Sequence, residues 1–237
     1  MRNQIAKYLF QITTLPKDIA IKSSAINLPP RIDWFSRIQG PKTMPSFDVK
    51  FPTTKKLLFL DMDETILARS SHWFYNGKNG SRIGEESFFV RPHLHSFLKQ
   101  VESKYHVILF TASYPKRLTS ILPFLNYKFH MTLHREFTTP GRAVHIYKNK
   151  IPVFKDLNRF KVDLTNCILL DDNPNYFLSC RENGIKIKPY FGDAKDDELL
   201  RYSDLLLQLA ESNNMQYAIS NLKVDYPDVF DGTRWIF

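Results

Sequence analysis

A chain of 237 residues, 43% of them hydrophobic, can bury one good α/β core, and one domain with extensions is the economical reading. No apolar stretch approaches the roughly 18 residues a membrane-spanning helix needs, so no transmembrane segment is expected. The two cysteines, Cys167 and Cys180, make neither a disulfide framework nor a C-x-x-C pair, which favours a reducing compartment.

The formal net charge is +9, and most of that excess lies before the first predicted strand, where Arg2, Lys7, Lys17, Lys22, Arg31, Arg37, Lys42, Lys50, Lys55 and Lys56 face only Asp18, Asp33 and Asp48. Residues 1–54 therefore read as a basic, proline-containing extension, with Leu28 to Pro52 irregular and wrapped over the core. Such an arm fits a solubilising role, or contact with a phosphorylated partner, nucleic acid or a membrane surface. Its first 24 residues are poor in acids and locally amphipathic at Ile5, Tyr8, Leu9 and Ile12, as in mitochondrial targeting segments.

Strand Lys56 to Leu60 runs into Asp61-Met62-Asp63-Glu64-Thr65. An apolar run of this kind predicts a buried parallel strand, and open α/β sheets gather their chemistry beyond the carboxyl ends of such strands. Two carboxylates spaced i, i+2 repel unless a divalent cation lies between them or one carries a proton. Taken alone, the stretch fits an acidic turn equally well, with Asp63 or Thr65 capping a helix.

A short insertion follows, through Phe88 to Val90, with Asn76-Gly77 and Asn79-Gly80 as hairpin turns. The spacing of Leu94, Phe97, Leu98 and Val101 predicts a helix to Lys104. Strand Val107 to Phe110 then stops at Thr111-Ala112-Ser113, whose hydroxyls and backbone amides suit an anion. The same residues serve as turn or cap, since Pro115 and Leu118, Ile121, Leu122 and Leu125 announce a helix over Lys116 to Leu125. Between Arg135 and Lys155, Pro140-Gly141-Arg142 and Asn149-Lys150 predict a small β-hairpin insertion. Lys155 alone reads as a surface lysine. Strand Cys167 to Leu170 ends in Asp171-Asp172-Asn173-Pro174, a second acidic pair that is also a turn signal. Ile185 to Ile187 and a helix over Asp196 to Glu211 complete the alternation of a doubly wound parallel α/β sheet. The aromatic-rich Met215 to Phe237 is expected to pack back on the core.

In order, acid pair, hydroxyl, lysine and acid pair form an inventory for phosphoryl transfer through an aspartyl-phosphate. A carboxylate attacks phosphorus, Mg²⁺ offsets charge, and hydroxyl, amide and ammonium groups hold the phosphoryl oxygens. Magnesium fits because it takes hard oxygen ligands, one or two carboxylates plus phosphate.

The segments Phe59 to Thr65, Phe89 to Pro92, Phe110 to Ser113, Lys155 to Leu157, Leu170 to Pro174 and Tyr190 to Asp193 resemble the haloacid dehalogenase superfamily. Within it they resemble the phosphatases of the RNA polymerase II C-terminal domain and their small Dullard and NLI-interacting-factor relatives, over roughly Lys55 to Ser212. The resemblance implies Asp61 as nucleophile and Asp63 as general acid, then base. It implies Thr111 and Lys155 as phosphate holders. Asp61, the backbone carbonyl of Asp63 and Asp172 become Mg²⁺ ligands, and Asp171 a partner of Lys155 or of a metal-bound water. Thr65, Ser113 and Arg135 become substrate-side groups, although Arg135 reads equally as a salt-bridging surface arginine.

The expectation is a Mg²⁺-dependent protein serine/threonine phosphatase, nuclear or cytoplasmic, acting on a phosphorylated peptide like the RNA polymerase II C-terminal domain. Residues 55–212 would form the phosphatase domain and 213–237 an aromatic extension. One rival is a non-catalytic adaptor of the mitochondrial import-receptor type, in which the acids are often lost. Another is a phosphatase of nucleic-acid ends, which needs a basic groove with stacking aromatics. The chain departs from the family pattern at Ile66 to Ser71, on the lip of the site. No interval holds a large cap.

Overall fold

Leu58 and Leu60 face one way along their strand and Leu57 and Phe59 the other, and all four are buried. A strand apolar on both faces belongs inside a covered parallel sheet. The computed structural model describes residues 46–69, 81–83, 86–140 and 153–225. Most of the basic arm, the turns at Asn76-Gly77 and Asn79-Gly80, the hairpin tip from Gly141 to Lys150 and the terminal Tyr226 to Phe237 lie outside them.

In chain order the strands and helices are β1 (Lys56–Leu60), β2 (Leu67–Arg69), β3 (Ser81–Ile83), β4 (Glu86–Val90), α1 (Leu94–Val101), β5 (Tyr105–Phe110), α2 (Pro115–Leu125), β6 (Met131–Leu133), β7 (Thr139–Pro140), β8 (Val153–Phe154), β9 (Cys167–Asp171), β10 (Gly184–Lys186), α3 (Glu198–Leu209) and α4 (Met215–Asp225). The main sheet is parallel, in the order β10-β9-β1-β5-β6. From β1 the chain winds out through β5 and β6, then returns to the other side through β9 and β10. Strand order thus reverses at β1, the position where open α/β sheets bind ligands.

One sheet face packs Leu58, Leu60, Val107, Leu109, Ile168 and Leu170 against apolar residues of all four helices. The other face is covered differently among the described residues. There, 3₁₀ turns bring in Leu157, Phe177 and Cys180, and the stretch before β1 supplies Phe47, Val49 and Phe51. Phe47 stacks on Phe160 at 5.1 Å and lies 3.9 Å from the Arg159 guanidinium, while its amide donates to the Arg159 carbonyl at 2.7 Å. The end of the proline-containing arm is in this way tied to the core.

Two excursions leave the sheet. The chain after Asp63 forms the small antiparallel sheet β2-β4-β3, and β7 pairs antiparallel with β8, Thr139 opposite Phe154, at the base of the predicted hairpin. Helix α4 begins where an aromatic extension was expected, burying Met215, Ile219 and Leu222. Among the described residues no helix is long and apolar enough to cross a membrane.

Candidate active site

The register of the central strands gathers the site. Leu60 of β1 pairs with Leu109 of β5 and Leu170 of β9, so Asp61 and Asp171 leave adjacent strand ends side by side, with Thr111 two residues beyond the Leu109 pairing. The Asp61 amide donates to the Leu170 carbonyl at 3.0 Å and locks that level. The turn that follows puts Glu64 in the left-handed region, with φ 61°. A non-glycine residue held there is strained, a feature that clusters at functional turns. The strain is held from outside: the Tyr190 amide donates to the Glu64 carbonyl at 2.6 Å, and the Glu64 amide donates to the Leu67 carbonyl at 2.7 Å.

Lys155 is no surface lysine. It follows β8, has no solvent exposure, and its amide donates to the Tyr176 carbonyl at 2.7 Å. Its ammonium donates to Asp61 Oδ1 and, at 2.6 Å, to Asp171 Oδ2. The rings of Tyr176 and Phe110 lie 5.1 and 5.6 Å from it, faces that favour a cation. Burial alone would drive this ammonium down, but Asp171 and Asp61 hold it above its ordinary value.

One carboxylate oxygen from each of Asp61, Asp171 and Asp172 lies within 4.8 Å of the other two. Burial, then the charge of Asp171, raises Asp61 well above the usual carboxylate range. Asp172 is pushed up to about 9 by burial and then by Asp171 and Asp61. Asp171 is raised chiefly by burial, against the pull of Lys155. One ammonium does not offset three crowded carboxylates, and hard oxygens at this spacing fit a divalent cation. The Asp63 side chain is not in this cluster.

Asp63 turns instead toward α2. Arg117 closes a fork on it, Nη2 to Oδ1 at 2.6 Å and Nη1 to Oδ2 at 2.7 Å; the Ser113 hydroxyl donates to Oδ2 at 2.8 Å, and Arg69 Nε reaches Oδ1 at 3.4 Å. Burial opposes the charge on Asp63, but the hydrogen bonds and charge of Arg117, with Arg69 and Ser113, hold its carboxyl below its ordinary value.

Thr65 is fully buried, and its hydroxyl accepts from the Asp172 amide at 3.1 Å, so it holds the second acid pair in place. Behind it, the buried Arg91 donates to the Thr65 carbonyl at 2.9 Å and grips both oxygens of Asp196 at 2.7 and 2.8 Å. Thr111 is fully buried, and its hydroxyl oxygen accepts the Ser113 amide at 3.0 Å. Arg135 is placed by the turn that follows β5. Its guanidinium donates to the Ala112 carbonyl at 3.4 Å and lies 5.3 Å over the exposed ring of Tyr114, at the rim. Sequence reasoning missed Arg117, whose partner lies 54 residues away.

A parallel α/β sheet with an aspartate-lysine cluster at its switch point defines a haloacid-dehalogenase-type core. The model of the NLI interacting factor-like phosphatases matches residues 56–216, and the chain belongs to that family. A probable C-terminal domain small phosphatase of Dictyostelium discoideum is 30% identical over 177 residues, 67% of this chain and 55% of that one. Phosphatase Herzog of Drosophila melanogaster is 26% identical over 175 residues, 70% and 47% of the two chains. The chain spans about half the length of the curated relatives it matches. Among solved structures, fission yeast RNA polymerase II CTD phosphatase Fcp1 is 17% identical with a TM-score of 0.39, covering 72% of this chain and 54% of that one.

Proposed function

We propose that the protein is a Mg²⁺-dependent protein serine/threonine phosphatase that works through a phosphorylated Asp61, with a peptide like the RNA polymerase II C-terminal domain as favoured substrate. The observation that carries this reading is the placement of Lys155 between Asp61 and Asp171, beside Asp172, at the carboxyl ends of the central strands.

In the first step an oxygen of Asp61 attacks phosphorus, the bond from phosphorus to the serine or threonine oxygen breaks, and Asp63, which must carry a proton in the reacting complex against the arginine fork that favours its charged form, gives that oxygen the proton. In the second, Asp63 takes a proton from water as the water oxygen attacks phosphorus. The bond to Asp61 then breaks and phosphate leaves. Lys155 and the Thr111 turn hold phosphoryl oxygens throughout, because fixed donors lower the barrier where charge develops. Asp61, Asp172 and the Asp63 carbonyl are the groups that would hold Mg²⁺, which supplies neutralisation of phosphoryl charge. Asp171 fixes Lys155. Ser113 and Arg135 stand on the substrate side, Arg135 at the rim. Thr65 acts through Asp172.

Asp61, Lys155 and Asp172 gathered at one strand end, with Asp63 near enough for its charge to act on Asp61, favour catalysis over the adaptor reading. The test is turnover of an aryl phosphate and of phosphopeptides, with and without Mg²⁺, by wild type and Asp61→Asn. The substitution should lower kcat by at least about 10³-fold at an unchanged melting temperature. Near-normal turnover by the mutant would exclude the covalent route.

A further inference from the structure

Arg117 is poorly placed for its own helix. It shares the first turn of α2 with Lys116, where no acid stands and the helix amides already carry partial positive charge. Its fork closes on Asp63 and also donates to the Ser113 hydroxyl. Exposure falls inward from this pair: the side chains of Arg117 and Asp63 are 19% and 20% exposed, that of Asp61 5% and that of Lys155 0%. A phosphoryl group bound for Asp61 therefore enters past Asp63 and its arginines. Two guanidiniums, Arg117 and Arg69, meet on the Asp63 carboxylate, and a third, Arg135, borders the same Thr111-Ala112-Ser113 turn through the Ala112 carbonyl.

A guanidinium fork fits any planar pair of oxygens, carboxylate or phosphate, and its geometry on Asp63 shows that arrangement already made. We propose that Arg117, with Arg69 and Arg135 beside it, selects substrates carrying a second anionic group next to the phosphorylated side chain. The substrate's oxyanion takes the place of Asp63 in the fork. The proposal rests on the phosphopeptide-phosphatase reading and adds a substrate class to it.

The experiment uses three matched phosphoserine peptides, whose neighbouring residue is neutral, glutamate or a second phosphoserine. They are assayed with wild type, Arg117→Gln and Arg117→Lys at low and high salt, with melting curves for each protein. Charge-assisted hydrogen bonds predict a wild-type kcat/KM about 10- to 100-fold higher for at least one doubly anionic peptide, carried mainly in KM and reduced by salt. The glutamate and phosphoserine arms tell a carboxylate from a phosphoryl group. Arg117→Gln should bring the ratio close to one, and Arg117→Lys should keep part of it. Equal wild-type kcat/KM across the three peptides overturns the proposal without any variant, and so does a ratio that survives in both variants. A uniform fall in kcat with an unchanged ratio means that Arg117 only orients Asp63. In each of these cases the phosphatase reading stands, whereas failure to turn over any peptide overturns both.

Discussion

Lys155 and Asp171 form an ion pair 2.6 Å long with no solvent exposure on either side chain. Lys155 comes directly after a two-residue strand outside the main sheet, whereas Asp171 closes a central strand. The pair thus pins an excursion of the chain to the switch point. It also binds folding to the site, because Lys155 is the cation that offsets Asp61 and Asp171 together.

Replacing that cation should damage both. Lys155→Met keeps most of the side-chain volume but leaves two buried carboxylates facing each other, which costs about 3–5 kcal/mol when one partner of a buried pair is removed. Urea denaturation should register that loss, and kcat/KM should fall by about 10²-fold or more. Adding Asp171→Asn should recover part of the stability and none of the activity. A Lys155→Met protein of wild-type stability would return Lys155 to the status of an ordinary surface residue.

The acid cluster makes a separate prediction about metal. Asp172→Ala removes a proposed metal ligand while leaving the Asp61 and Lys155 side chains in place, so the Mg²⁺ concentration for half-maximal activity should rise steeply while saturating Mg²⁺ restores part of the rate. EDTA should abolish activity and added Mg²⁺ should return it. Full activity in EDTA would remove the metal from the mechanism.

Gly184, the first residue of β10, tests the packing beneath the site. A Cβ added there would lie 2.1 Å from Phe177 Cδ2, a ring buried in the second core. The ring is held among Leu169, Cys180 and their neighbours and has little room to retreat. Gly184→Ala should therefore cost about 1–3 kcal/mol, the usual penalty of overpacking, visible as a lower denaturation midpoint at constant slope. Wild-type stability would mean that Phe177 repacks freely.

Long apolar runs made the central strands legible in the sequence: β1, β5 and β9 bury every position that faces a core, and the switch from continuous apolar runs to a period of 3.6 marks α1 and α2. β6 is three residues long and α4 opens the stretch read for its aromatics, so neither carried a clear local signal. The same division runs through the site. Asp61, Asp171 and Asp172 sit at strand ends and are visible as motifs. Thr65 reads as a substrate group, yet its hydroxyl serves Asp172 across 107 residues. Arg117 went unread among the polar positions of a predicted helix, and its one local signal is a cation in an acid-free first turn.

Substrate size follows from the two excursions. About 25 residues separate Thr65 from Arg91, and the described part of that interval forms the small sheet β2-β4-β3. The described part of the interval from Thr111 to Lys155 holds α2, β6, a 3₁₀ turn and the strands β7 and β8. Neither interval is long enough for a separate lid domain over the cleft, whereas an extended chain can lie across Tyr114 and Arg135 at its rim. Phosphoserine and phosphothreonine peptides should therefore be hydrolysed with kcat/KM well above that of free sugar phosphates or nucleotides. Trimming the flanking residues should erase the advantage, since binding energy away from phosphorus supports the chemical step. The measurement is a panel of small phosphometabolites beside phosphopeptides of decreasing length. If any free metabolite outperformed every peptide, the open cleft would have to be reassigned to metabolite hydrolysis.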